Sequence, residues 1–381
     1  FVGAMVGLER TVLPLLAREE FGVASSAAVL SFVASFGLVK ATTNLAAGHL
    51  ADRFGRRLVL VLGWIAGLPV PFLIIWAPSW GWIVAANALL GVNQGLAWSM
   101  TVVMKIDLVG PERRGLAAGL NEFAGYTAAA VMAYATGEIA VRAGLRPEPF
   151  YLGIAVAAIG LALSVLFVRE TRPAGTRESE GEPRAGLADV FGRVTWRDSR
   201  LQACSQAGLV NNLNDGVAWA LFPVYFASVG MSLREIGILA AVYPGVWGIA
   251  QLGTGPLGDR VGRPGLVVSG LLLQAVAIAA VASASSFRPL LAAAVVLGLG
   301  TALVYPTLLA AVSDLSEASW RASALGVYRF WRDAGYAVGA LGIGAFAALV
   351  GDAGAIRAAA VLTAASGLIV WARLGSSRAL G

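Results

Sequence analysis

Gly48-His49-Leu50-Ala51-Asp52-Arg53-Phe54-Gly55-Arg56-Arg57 is the stretch on which the fold turns. It recurs in shortened form as Gly255-Pro256-Leu257-Gly258-Asp259-Arg260-Val261-Gly262-Arg263. Asp259 stands 207 positions after Asp52, and the same offset carries Gly91 to Gly298, Asp107 to Asp314, Arg114 to Arg321, Gly119 to Gly326 and Phe123 to Phe330. One half of the chain is a diverged copy of the other. A duplicated unit inside a very apolar chain implies a membrane protein whose halves rock around a central site.

The composition fits that reading. Hydrophobic residues make up 58% of the 381 residues and charged residues only 13%, against about a quarter in soluble domains. Mean hydropathy is +0.75. A helix that crosses a bilayer needs roughly 20 apolar residues. Twelve stretches qualify: 1–17, 26–48, 58–77, 81–105, 115–140, 150–168, 200–227, 235–255, 264–284, 289–312, 322–349 and 355–373. The expected architecture is therefore an all-α membrane protein with two pseudo-symmetric six-helix bundles, 1–168 and 200–381. The linker 169–199 is rich in Arg, Glu, Pro and Gly. Within it Leu187, Val190, Phe191 and Val194 fall at helical spacing, which predicts a short surface helix with its apolar side on the membrane interface. The chain opens at Phe1 inside an apolar run, so its start is expected to lie upstream.

Charge placement sets the orientation. Loops after even-numbered spans, the linker and the tail hold 17 arginines, and the opposite side holds 6. Basic residues favour the inside of a cell membrane, so a multi-pass protein of the inner (plasma) membrane with cytoplasmic linker and termini is expected. The net charge of +6 resides in those loops and does not point to nucleic acid. One cysteine and one histidine give no disulfide, zinc, haem or cluster set, so no cofactor is expected. There is no phosphate-binding loop, and the only lysines are Lys40 and Lys105. Neither ATP hydrolysis nor a Ser-His-Asp enzyme is supported.

The doubled phrase resembles the signature of the major facilitator superfamily, G-x-L-a-D-R-x-G-R-[RK], between the second and third spans. A second copy between the eighth and ninth spans fits the same family. The resemblance implies that Gly48, Asp52, Arg53, Gly55, Arg56 and Asp107, with Gly255, Asp259, Arg260, Gly262, Arg263 and Asp314 in the second copy, form a gating motif, in which Arg53 and Arg56 pair with Asp107 and the cluster of Asp52, Arg56 and Asp107 latches the halves. Other features depart from the family's drug–proton antiporters. Gln94-Gly95 are present in the fourth span, but Gly91 stands where an arginine is usual. The fifth span reads Gly119-Leu120-Asn121-Glu122-Phe123-Ala124-Gly125-Tyr126, without the usual proline.

Ionisable residues within spans line a path or pair with one another, because burying them in lipid is costly. Glu9 and Arg10 lie in the first span, Lys40 in the second and Glu122 in the fifth. Asn211 and Asp215 lie in the seventh, and Arg329, Arg332 and Asp333 in the eleventh. Asn44 and its mate Gln251 precede the two motif aspartates by eight residues, and Glu122 and its mate Arg329 follow Arg114 and Arg321 by eight. At 1.5 Å per residue all four sit roughly 12 Å deep. The expectation is a polar ring in which Arg329 faces Asn44, Glu122 faces Gln251, and Lys40 pairs with Asp333. A local pair between Arg329 and Asp333, four apart on one helix, is the structural alternative. Trp98, Trp219, Trp247 and Trp331 are candidates to line a cavity.

Together these readings imply secondary active transport of a small organic solute by alternating access, with proton-coupled efflux favoured and Glu122, then Glu9 and Asp215, as proton carriers. The expected partners are a small-molecule substrate, protons and the bilayer, and the chain is expected to act as a monomer. A carrier of an anionic metabolite and a non-transporting membrane sensor are the alternatives.

Overall fold

The computed structural model describes residues 1–109, 114–171, 186–317 and 320–375. Among these there is helix and no strand. The first span is broken: α1 (Val2–Arg10) stops at Thr11, and α2 (Leu13–Glu19) starts over with Pro14 in its first turn, where a missing N–H is harmless. The second is α3 (Ser26–Phe54). The third is α4 (Arg56–Gly67) continued by α5 (Pro69–Ile75). The fourth is α6 (Trp80–Asn93), a π-helical turn at Gln94–Trp98, and α7 (Ser99–Val109). Then come α8 (Arg114–Ala143) and α9 (Glu148–Leu166).

After the linker helix α10 (Leu187–Gly192) the second half runs α11 (Ser199–Ser228), α12 (Leu233–Val261), α13 (Arg263–Val281) and α14 (Phe287–Leu315). It ends with α15 (Arg321–Val370), which turns at Gly351 (φ 77°, ψ 168°) into the eleventh and twelfth spans. Among the described residues seven helical stretches are long and apolar enough to cross a bilayer by composition alone, and the one at Ser323–Gly375 holds two spans. The remaining four are the first, fourth, fifth and seventh. They are divided by a break or a π turn, or made polar by Glu122 or by the Asn211–Asp215 run.

The duplication is visible in the packing. A Cβ on Gly91 would lie 2.7 Å from the Phe36 carbonyl and 3.1 Å from the Lys40 nitrogen. On its mate Gly298 it would lie 2.7 Å from the Tyr243 carbonyl and 3.1 Å from the Trp247 nitrogen. Phe36 and Tyr243, like Lys40 and Trp247, are again 207 apart. The motif turns match as well: Gly55 has φ 92° and Gly262 has φ 91°, a left-handed region open mainly to glycine. The fold is two pseudo-symmetric six-helix bundles, as the repeat implies.

The halves meet chiefly along two helix pairs, α3 with α15 and α8 with α12. Near the face opposite the motif they touch. Gly37 abuts Tyr336 and Ala337, Gly344 abuts Ala27, and Gly137 abuts Gly237. Toward the motif face Gly48, Gly119, Gly253 and Gly326 each have open space where a side chain would be. The pairs therefore diverge toward the motif face.

Two expectations need correction. The apolar side of the linker helix does not lie on the membrane. Val190 and Val194 are fully buried in one cluster with Leu201, Cys204 and Trp320, and Trp331 Nε1 donates to Thr195 Oγ1 at 3.0 Å. Burying both valines against protein removes more apolar area from water than an interface would. Trp331 thus packs on the linker helix instead of lining a cavity. Trp219, fully buried, stands under Arg10 with its ring centroid 5.4 Å from the guanidinium carbon.

Candidate central cavity and its gates

Between the halves lies a cavity of about 430 Å³, lined by Lys40, Asn44, Trp98, Ser99, Val102, Glu122, Tyr305, Leu309, Arg329 and Arg332. Three pairs of lining residues are repeat mates: Trp98 with Tyr305, Val102 with Leu309, and Glu122 with Arg329. A cavity walled by equivalent positions of both copies sits on the pseudo-twofold axis.

Its polar chemistry centres on Asp333, which is fully buried. Arg332 donates to both carboxylate oxygens at 2.9 and 3.0 Å. Asn212 donates at 3.1 Å, and Asn44 reaches across from the other half. Lys40 Nζ stands 3.8 Å away, and the rings of Phe36, Trp98 and Tyr336 surround its ammonium at 5.4 to 5.8 Å. Arg332 also donates to Tyr305 Oη at 2.6 Å. Glu122 Oε1 accepts from Trp98 Nε1 at 2.8 Å, while its Oε2 has no partner among the described residues. Arg329 makes no ion pair or hydrogen bond among them, and its Nε is buried without an acceptor.

A second polar node lies closer to the opposite face. Arg10 clamps Asp215 across the two halves with bonds of 2.8 and 3.0 Å, and Tyr336 Oη donates to the same carboxylate. Both ions are buried, at 3% and 0% exposure. Beyond it the opposite face is shut by Arg18 and Ser26 on Asp352, at 3.5 and 2.6 Å, and by Arg234 on Glu138 at 2.8 Å. Each of these joins one half to the other.

Some sequence expectations fall elsewhere. Glu122 bonds Trp98 and Asn121, and the Gln251 amide nitrogen is unpartnered; the Trp98 indole is nearer and donates. Asn44 binds Asp333, although it shares the cavity with Arg329. Asp333 is held by its chain neighbour Arg332 and not by Arg329, because the Arg332 guanidinium folds back in a fork. Asn211 turns away from the cleft. With Asn214 it binds Gln274 inside the second half, at 2.9 Å each. Glu9 is buried beside Asn87, and neither of its oxygens meets a donor within hydrogen-bond geometry.

Arg56 Nε lies 3.3 Å from Asp107, and its mate Arg263 lies 2.9 Å from Asp314. Each pair stays within one half. The side chains of Asp52, Arg53, Asp259 and Arg260, and Gly255, lie outside the described residues. An unanticipated acid, Glu170, accepts from the amides of Arg56 and Arg57 at 3.0 and 3.1 Å, meeting the free N–H groups that open α4. Trp98, a candidate from the sequence, lines the cavity, whereas sequence reading missed Tyr305 and Tyr336 as site residues. The offset from Trp98 to Tyr305 was the available signal.

The sequence model of the Major Facilitator Superfamily matches residues 1–206 and again 204–379. The chain belongs to the Major Facilitator Superfamily. It is similar to the uncharacterized MFS-type transporter YddS of Bacillus subtilis (strain 168), 26% identical over 349 residues, which cover 86% of this chain and 78% of that one. It is 25% identical over 265 residues to the multidrug resistance protein MdtG of Proteus mirabilis (strain HI4320), covering 68% and 64%. A shorter match of 112 residues, 33% identical and covering 29% and 26%, is to the proton-coupled antiporter flippase LtaA of Staphylococcus saprophyticus. Members of the superfamily are membrane transporters, and the double match falls on the two copies read from the sequence.

Proposed function

We propose that this superfamily member is a secondary active transporter that exports a small organic solute in exchange for protons, by alternating access. The supporting observation is the axial cavity, walled by mates from both copies, closed on one face and spread on the other. The moving bodies are 1–168 and 200–381, joined by 169–199, and the motif face is the cytoplasmic one. The protein works as a multi-pass monomer of the inner membrane. In that frame the geometry is an inward-facing state. The ion pairs of Arg18 with Asp352 and Arg234 with Glu138 are the bonds that must part when the outer face opens.

Glu9 and Glu122 are the proton carriers in this reading, since each is a buried carboxyl with at least one oxygen lacking a donor. A membrane potential supplies about 2.3 kcal/mol per charge per 100 mV. The relatives named for multidrug resistance and proton-coupled antiport support export and protons as the coupling ion.

The test is flux in proteoliposomes with an imposed pH gradient, using labelled aromatic acids, amines and neutral compounds, with an internal pH dye. Export predicts gradient-driven solute movement with counterflow of protons, lost in Glu9→Gln or Glu122→Gln. A Gly245 Cβ would stand 3.3 Å from the Ala130 Cβ, close to disulfide spacing. Oxidising the pair Ala130→Cys and Gly245→Cys should stop turnover, and a reductant should restore it. Undiminished flux in the cross-linked protein would end the alternating-access reading.

A further inference from the structure

The cavity itself says what charge its occupant carries. We infer that the solute is an organic monoanion, a carboxylate on a flat apolar body, with the carboxylate held by Arg329 and Lys40. The inference rests on the reading of this cavity as the transport site.

The argument is a charge count at the walls. Arg332 and Asp333 neutralise each other in a two-bond fork at 2.9 and 3.0 Å. Lys40 must share the same aspartate from 3.8 Å, a contact too long for a strong hydrogen bond. Arg329 has no counter-ion among the described residues, and its Nε is buried without an acceptor. Against these stands one lining acid, Glu122. Three cations facing two carboxylates leave the chamber with a surplus of one positive charge. Charges inside a poorly hydrated chamber are paired or they are expensive, and among the described residues nothing supplies the missing anion.

The donor types also fit. A guanidinium presents a planar fork that matches a carboxylate, and a lysine adds a point charge beside it. Beside the small polar Asn44 and Ser99, the remaining walls are Trp98, Tyr305, Val102 and Leu309, two aromatic faces and two aliphatic ones in mate positions. They suit a flat ring. A cationic occupant meets three positive side chains and has only Glu122 to bind, and Trp98 Nε1 already holds one oxygen of that acid at 2.8 Å.

Binding to purified protein tests this, read as quenching of tryptophan fluorescence, with thermal shift as a second readout. The probes are benzoate, benzyl alcohol, benzylamine and phenylalanine, which share a ring and differ in charge. Benzoate should bind at least tenfold more tightly than the other three. Replacing Arg329 by Gln should weaken benzoate by about tenfold to a hundredfold, the usual worth of a hydrogen-bonded ion contact, and Arg329→Lys should recover part of it. Arg329→Gln must retain the wild-type melting profile without ligand for the loss to count. Should it not, Lys40→Met replaces it, with the same loss expected. Benzylamine or phenylalanine binding as tightly as benzoate would overturn the anion assignment, as would undiminished benzoate binding in Arg329→Gln. Benzoate binding without any gradient-driven flux would refute transport and leave the anion site standing. Flux of amines or neutral rings with no benzoate binding would do the reverse.

Discussion

Removing Asp215 should be among the most damaging single changes in the molecule. Its carboxylate and the Arg10 guanidinium are joined at 2.8 and 3.0 Å, with 0% and 3% exposure. At an effective dielectric near 20, unit charges with centres about 4 Å apart attract by about 4 kcal/mol. Neutralising one partner also strands the other, so Asp215→Asn or Arg10→Met should each cost about 3–5 kcal/mol. The double change Arg10→Met with Asp215→Asn strands no charge and should cost clearly less than the two together, with a coupling of at least about 2 kcal/mol. The assay is a double-mutant cycle on thermal unfolding of purified protein in one detergent. Trp219, beneath Arg10 at 5.4 Å, gives a local fluorescence reading. An additive cycle, or single changes costing under about 1 kcal/mol, would refute the view of this pair as a buried bolt between the halves.

Three further changes probe other parts of the design. Gly55→Ala puts a side chain at φ 92° and 2.5 Å from Glu170 Oε2, so it should destabilise by about 1–3 kcal/mol and lower transport. Comparing it with Gly48→Ala, which meets open space and should be nearly silent in melting, isolates the turn. Trp98→Phe removes the donor to Glu122 Oε1 at 2.8 Å and leaves that oxygen only the longer bond from Asn121 at 3.3 Å, at a cost of about 1 kcal/mol; the proton flux of the variant should fall, while its expression should not change. Val194→Asp places an acid in a fully buried position under the linker helix. It should cost several kcal/mol and expose 186–197 to a protease added from the motif face, whereas wild-type resistance in the variant would contradict the docked position.

The fold was legible because it depends on two coarse signals. Twelve apolar stretches of bilayer length and a 207-residue echo survive drift in individual side chains. Buried glycines such as Gly91 and Gly298 are kept where helices touch backbone to backbone. The site was legible only in its residue types. Which residues face the cleft depends on helix rotation, and a rotation of one residue turns a side chain by about 100°. Hence Asn211 was expected in the path but bonds Gln274 inside its own bundle, while Asp215 crosses to Arg10. The partner of Glu122 was missed for a related reason. The π turn at Gln94–Trp98 inserts an extra residue into the helix and swings Trp98 toward α8, a local change that no periodic pattern announces.

What separates the two copies is more telling than what they share. Lys40 and Asp333 form the long ion pair at 3.8 Å. Their mates under the 207-residue offset are Trp247 and Tyr126, whose rings stack with centroids 3.5 Å apart. One pseudo-symmetric contact between the halves is thus ionic, and its counterpart is aromatic. An ion pair loosened to 3.8 Å can exchange partners with an incoming anion, because the attraction it gives up is replaced. An aromatic stack has no such alternative partner in a charged solute, and it loses buried area whenever it opens. The asymmetry assigns the α3–α15 contact to substrate response and the α8–α12 contact to holding the halves in register. Under that division Trp247→Ala should raise the rate of outer-face opening without changing benzoate affinity, as read by accessibility of a cysteine placed at Ala130. Lys40→Met should do the opposite, lowering affinity with little change in accessibility. Equal effects of both substitutions on affinity and accessibility would show that the two contacts are not specialised.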